Sequence, residues 1–382
     1  MPVEGTVAPG FERVRDTFLA NFADHGDVGA ACCVYVDGEP VVDLAGGSVV
    51  PGGAPYTRST LQMVASATKG ALAICALRLS ERGELDLDAP VAEYWPEFAA
   101  EGKADIPVRW LLTHRSGLPY VDTVLPMSEV YGWQPMVDLL AAQRPVWTPG
   151  SAHGYHALTY GWLVGEVLAR VTGVTPGELI RREVADPLGV DFWVGLPASE
   201  TERVSPLIVA TAAPETRPDP FTMMLFDAES MAHKAFFVAN GLLGSLNDPA
   251  AWAAQLPAAN GMATARSLAR VYAACLGEVD GIRLLAPDTL RVATTEQSGG
   301  HDAVLQVDSR FGLGFQLPYP LRPFAGDGSF GHYGLGGSVG FGHAGAGVAF
   351  GFVVNQMLPG GVVDPRSAAL IEAVFAAVLA AG

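Results

Sequence analysis

Ser66-Ala67-Thr68-Lys69-Gly70-Ala71-Leu72-Ala73-Ile74-Cys75-Ala76-Leu77-Arg78-Leu79 is the stretch whose reading decides what this chain is. Leu72, Cys75, Ala76 and Leu79 recur at the spacing of one helix face, with Arg78, Glu81 and Arg82 off that stripe. Gly83 is placed to end the helix. Ser66 and Lys69 therefore stand one helical turn apart and can share a face. A serine hydroxyl is a poor nucleophile until a base takes its proton. For Lys69 to be that base, its ammonium must release a proton near neutrality, which takes about 4–5 kcal/mol of destabilisation of the charge. A dry or cationic cleft supplies it, and the N–H groups at a helix start favour a developing oxyanion. The pair alone is a short signal, because a capping serine and a surface lysine spell the same letters.

Working outward, residues 11–24 predict a helix with Phe11, Val14, Phe18 and Phe22 on one face. The apolar runs Ala30–Val36 and Pro40–Leu44 flank Asp37-Gly38, a hairpin signal. From about 84 to 260 the pattern is helices joined by Pro/Gly loops, the clearest being Thr159–Val171 with Gly173 just past its end. Residues 205–220 carry Pro206, Pro214, Pro218 and Pro220 and predict an irregular excursion. Thr264–Leu276 predicts a helix, the Gly-rich residues 328–357 hold two strand-like runs including Val348–Val354, and a last helix covers about 366–380. Strands at both ends and helices between predict one sheet lobe from 1–83 and 261–382, an inserted helical lobe at 84–260, and a site in the cleft between them.

A second serine competes with Ser66. Gly336-Gly337-Ser338-Val339-Gly340 matches the GxSxG nucleophile elbow, in which an acid and then a histidine follow the serine. His343 is the only histidine after Ser338, and Asp364 and Glu372 have none after them. The order fails, so Ser338 is expected in a turn or strand.

Three further stretches join the first serine: Leu111-Leu112-Thr113-His114-Arg115-Ser116-Gly117-Leu118, then Tyr155-His156-Ala157 after Trp147-Thr148-Pro149-Gly150, then Gly331-His332-Tyr333-Gly334. With these in place, the chain resembles the serine β-lactamase superfamily on its class C side, and is most similar to family VIII carboxylesterases and related transacylases. The resemblance spans roughly residues 11–380. It implies an α/β (α+β) fold of the β-lactamase/penicillin-binding-protein type, an antiparallel sheet flanked by helices plus a mostly helical region. It implies Ser66 as nucleophile and Lys69 with Tyr155 as the proton relay, either holding the proton at rest. It places His332 and Gly334 at the substrate and the N–H groups of Ser66 and Leu335 in the oxyanion hole. Ala157 stands where the family's Tyr-x-Asn motif has its asparagine, and His332 where its Lys-Thr-Gly motif has a lysine. A histidine is a weaker, pH-dependent cation. Both departures favour simple esters over β-lactams.

The rest of the sequence narrows the field. A net charge of −17 over 382 residues, with no Lys/Arg cluster, argues against nucleic-acid and anionic-membrane partners. Cys32, Cys33, Cys75 and Cys275 show neither CxxC nor metal spacing and are expected buried and reduced. The first residues carry no basic and apolar leader, so a cytoplasmic location is expected. His153 and His156 have no third ligand nearby, and neither a metal nor an organic cofactor is expected. His114 and Arg115 are expected to support a loop beneath the site. Phe221, Met223, Met224, Leu225, Phe226, Phe236 and Phe237 are read as core packing, or as a wall of the substrate pocket. The expected activity is carboxylic ester hydrolysis of a small molecule through an acyl-enzyme. A transacylase, a β-lactamase, a D-amino-acid peptidase and a silent binding module are the alternatives.

Overall fold

Asp37 and Gly38 adopt positive φ values of 48° and 85°, the two left-handed residues that a tight hairpin turn needs. In the computed structural model, which describes residues 3–209, 219–237, 239–240, 242–358 and 363–381, this turn sits inside a 6-stranded antiparallel sheet. Its strands are Val3–Val7 (β1), Gly29–Val36 (β2), Glu39–Gly47 (β3), Ser329–Tyr333 (β4), Val339–His343 (β5) and Val348–Val354 (β6). They lie in the order β1-β3-β2-β6-β5-β4, so both ends of the chain share one sheet. The Gly-rich region holds three strands of this sheet rather than the two runs expected, because β4 and β5 are short and hide among glycines.

Both faces of the sheet are covered. Glu12–Asp24 (α1) and Pro365–Ala381 (α5) pack on one face, where Phe18, Leu370 and Val374 meet Ala30, Cys32 and Val34. Ala265–Leu276 (α4), capped by the Thr264 side chain, lies on the other, where Leu268, Ala269 and Tyr272 meet Ala31 and Cys33. Strand β2 therefore reads as an unbroken apolar run instead of alternating. Opposite it, Phe352 pairs with Cys32 and Gly351 with Cys33. All four cysteines are buried and unpaired.

Helix Thr68–Glu81 (α2) departs from the amphipathic stripe expected of it. Residues 68–77 and Leu79 are all buried. One side of α2 meets Tyr272 of α4, and the other meets Thr159–Thr172 (α3), so no face is left for solvent until Arg78. There Arg78 and Arg82 close on Glu183 at 3.0 and 2.9 Å. Gly173 ends α3 with φ 73°, as its position predicts.

Of the Pro-rich excursion, Val204–Ser205 and Ile208–Val209 are short paired strands instead of irregular chain, while Pro214 and Pro218 lie outside the described residues. Val204–Ser205 joins a 4-stranded sheet with Leu61–Met63, Met262–Ala263 and Phe192–Trp193. Among the described residues no helix is long and apolar enough to cross a membrane.

Candidate active site

The small sheet delivers the turn that carries Ser66. Leu61–Met63 pairs with Met262–Ala263, and the Val64 N–H donates to Gly261 O at 2.8 Å. The chain then turns through a 3-10 turn, Ala65–Ala67, into α2. Ala65 has φ 46°. A left-handed non-glycine residue costs on the order of 1–2 kcal/mol and is a recurrent sign of an active site. Thr68 clips the turn from below: its hydroxyl donates to Ala65 O at 2.6 Å and accepts from the Gly261 N–H at 2.9 Å. The turn's backbone bonds run from Ala67 to Val64 and from Thr68 to Ala65 and Ser66, leaving the Ser66 N–H outside the ladder.

Lys69 is fully buried one helical turn on. Its Nζ contacts Ser66 Oγ at 3.1 Å, Ala157 O at 2.7 Å and Ala258 O at 2.9 Å. Among the described residues no carboxylate pairs with it. Desolvation without a compensating anion holds its pKa well below the ordinary lysine value. A neutral amine fits this cage in one orientation. Its two N–H groups serve the two carbonyls, and its lone pair faces the serine hydroxyl.

Tyr155 arrives on a loop braced from beneath. His114, itself at φ 59°, accepts from the Gly154 N–H with its carbonyl (3.1 Å) and from the His156 N–H with Nδ1 (3.2 Å). The His156 ring donates from Nδ1 to Gly154 O (2.6 Å) and accepts from the Leu118 N–H at Nε2 (3.2 Å). Burial drives both imidazoles down, His156 to about 3, so both are neutral supports. The loop-bracing role expected of His114 thus has a specific geometry. Arg115 lies over Trp110 and donates to Gly150 O. The Tyr155 ring stacks on Phe311 at 6.0 Å and carries the Lys69 Nζ 4.9 Å from its centroid. Burial raises the phenol's pKa, partly offset by its hydrogen bond with Ser66.

One brace was not legible in the sequence. Asp302 is fully buried 147 residues from Tyr155, and its Oδ1 accepts the N–H groups of Tyr155 (3.0 Å), Val304 (2.9 Å) and Leu305 (2.9 Å). Its Oδ2 accepts the Ser309 hydroxyl, which also meets His153 Nε2, each at 2.9 Å. No local pattern announces a carboxylate that acts on a loop so distant in sequence. Thr68 had a signal, its place inside the Ser-x-x-Lys stretch, but not a role.

The end of β4 closes the site. Gly334 packs so tightly on the Ser66 turn that a Cβ there would lie 2.2 Å from Val64 O. Its N–H donates to Ser338 O at 2.7 Å and its carbonyl accepts from the Gly337 N–H, so a tight turn follows with Leu335 exposed on it and Ser338 buried at its end. Ser338 is a buried turn residue before β5, as the failed triad order predicts. His332 requires a correction. It is buried behind Tyr155, ring centroids 6.0 Å apart, and not in the cavity wall. Its Nδ1 donates to Tyr333 O at 2.7 Å, and burial holds its pKa well below the ordinary value. The weak cation expected from sequence is a neutral ring.

A cavity of about 360 Å³ opens onto Ser66, Tyr155, Gly334 and Leu335. Phe221 and Phe236 contribute to its wall, while Met223 and Phe226 are 63% and 72% exposed, so the aromatic cluster is part pocket wall and part surface. Among the described residues no group of three or more His, Cys, Asp or Glu side chains is placed to hold a metal ion.

Known proteins share this fold. The family model described as Beta-lactamase matches residues 14–374. The chain belongs to the β-lactamase family. It is a serine hydrolase of the β-lactamase fold. It is 35% identical over 368 residues to the esterase/β-lactamase LipL of Mycobacterium tuberculosis, covering 93% of this chain and 83% of that one. A solved family VIII carboxylesterase superposes with TM-score 0.88 at 37% identity, covering 99% and 100% of the two chains. A penicillin-binding protein homologue from Caulobacter crescentus gives 0.85 at 37% identity, with the same coverage.

Proposed function

We propose that the protein is a carboxylic ester hydrolase that works through an acyl-enzyme on Ser66. The observation that carries this reading is the Lys69 amine, buried without an anion and held by two main-chain carbonyls with its third contact on Ser66 Oγ. As Oγ attacks the ester carbon, the Lys69 lone pair takes the hydroxyl proton. Negative charge developing on the carbonyl oxygen is received by the N–H groups of Ser66 and Leu335. On collapse the C–O bond to the alcohol breaks, and the leaving oxygen takes the Tyr155 phenol proton, which the Lys69 ammonium replaces. Water then repeats the sequence on acyl-Ser66 and releases the acid. The opposite pKa directions of the pair favour Lys69 as the resting base and Tyr155 as the acid. The cleft reading adopts a sheet lobe of 1–83 with 261–382 against an inserted 84–260, supported by a sheet built from both chain ends.

Esters are favoured over β-lactams because Ala157 offers only a buried methyl group where a side-chain amide would serve, and because His332 is neutral and recessed. The names of the relatives point the same way. Ser66→Ala should reduce turnover of p-nitrophenyl butyrate to background, and retained activity sinks the assignment. The double name of the Mycobacterium relative motivates a second reading, β-lactam hydrolysis. A chromogenic cephalosporin turned over faster than the ester would put that reading first.

A further inference from the structure

Gln316 is not part of the proton machinery, yet it lines the same cavity as Ser66 and Tyr155. Its backbone N–H and C=O are both taken by Gly331, at 2.8 and 3.1 Å. What it offers the cavity is therefore its side chain. The residue is 4% exposed, and its Oε1 accepts the Tyr333 N–H at 3.0 Å. That bond fixes the amide's orientation, since turning the group over would set two donors face to face. Nε2 is directed away from Tyr333 and, among the described residues, has no protein partner. A nearly buried donor with none is kept for something that enters the cavity.

We propose that the Gln316 amide is a specificity-determining donor to an acceptor oxygen on the alcohol portion of the ester. The enzyme then prefers esters of oxygen-bearing alcohols to esters of plain alkyl alcohols. The inference rests on the ester-hydrolase reading. The alcohol side follows from Tyr155, which hands its proton to the leaving oxygen. Phe311, stacked on Tyr155, belongs to the same stretch as Leu305, Val307, Gln316 and Leu321, all four of which form cavity wall. The amide thus stands beside the leaving group in a wall of mainly apolar side chains that it shares with Tyr319 and Arg322. An alkyl alcohol displaces water from Nε2 and returns no hydrogen bond, whereas an ether oxygen replaces it.

The test is competition between 2-methoxyethyl butyrate and n-butyl butyrate, near-isosteres with one acyl group. Their kcat/KM ratio reports acylation, the half-reaction in which the alcohol is present, and is independent of the folded fraction of any variant. Wild type should prefer the methoxyethyl ester by about tenfold. Gln316→Glu keeps an acceptor for the Tyr333 N–H but loses the donor, and Gln316→Met loses both. Each should bring the ratio to about one or below. Turnover of both esters without preference in wild type, or a preference that survives in Gln316→Glu, overturns the proposal while leaving the esterase reading intact. Turnover of neither ester overturns both.

Discussion

Gly334→Ala isolates the contact between β4 and the nucleophile turn. Gly334 does not adopt a left-handed φ, so an alanine is acceptable to the backbone and space alone opposes it. The added methyl carbon would lie 2.2 Å from Val64 O and 3.4 Å from Ala65 Cβ. A carbon tolerates an oxygen no closer than about 3.3 Å, so β4 and the turn must part by about 1 Å. The Leu335 N–H, one residue on, moves with β4. A donor at about 2.9 Å from the forming oxyanion then stands near 3.9 Å, beyond hydrogen-bonding range. Loss of one such donor lowers kcat by about 10²–10³. The expected result is that loss in kcat on p-nitrophenyl butyrate. The far-UV spectrum should stay native, because the strain falls on two short turns at the cavity and not on the sheet core. If kcat stays within threefold of wild type and the unfolding midpoint does not move, the close approach is not what aligns the two N–H groups, and the reasoning fails.

Two other outcomes follow from the same geometry. Asp302→Ala strands the N–H groups of Tyr155 and Val304, both buried, and that of Leu305, partly buried, at about 1–3 kcal/mol for each buried one, so urea unfolding should show a loss of about 3 kcal/mol or more, against about 1–2 kcal/mol for Asp302→Asn; equal losses would refute the three-donor account. In the proposed mechanism the active form carries neutral Lys69 and neutral Tyr155. Falling pH protonates Lys69 and removes the base, while the raised phenol value keeps Tyr155 protonated as pH rises. The kcat/KM profile should therefore show one acid limb and a plateau to about pH 10, and a decline on the alkaline side below that would contradict the assignment of roles.

The elements legible in the sequence were those whose cause is local. Asp37-Gly38 wrote its own turn, Gly173 its own helix end, and Ser66 with Lys69 their spacing along α2. Burial on two sides was not legible, because Thr68, Gly70, Ala71 and Ala73 are too small and too neutral to announce a second packed face. That is why α2 looked amphipathic and is not. The site was legible as far as its motifs reached: Ser66, Lys69 and Tyr155 come together, and Gly334 and Leu335 close over them. What escaped lies in pairs separated by more than a hundred residues, such as Asp302 with Tyr155 and Gly261 with Thr68, where neither partner carries a pattern of its own. His332 was misjudged because a histidine's charge is a property of its surroundings. Burial removed a cation that the letter alone promised.

The cage around Lys69 is made of main chain. Ala157 and Ala258 hold the amine through oxygens that every amino acid possesses, so the base keeps its aim whatever side chains those positions carry. Substitution at either site can reshape the surroundings of the reaction while leaving the proton path as it was. In this molecule the contacts that aim the amine belong to the backbone, while the side chains at the same two positions are buried methyl groups outside the cavity wall.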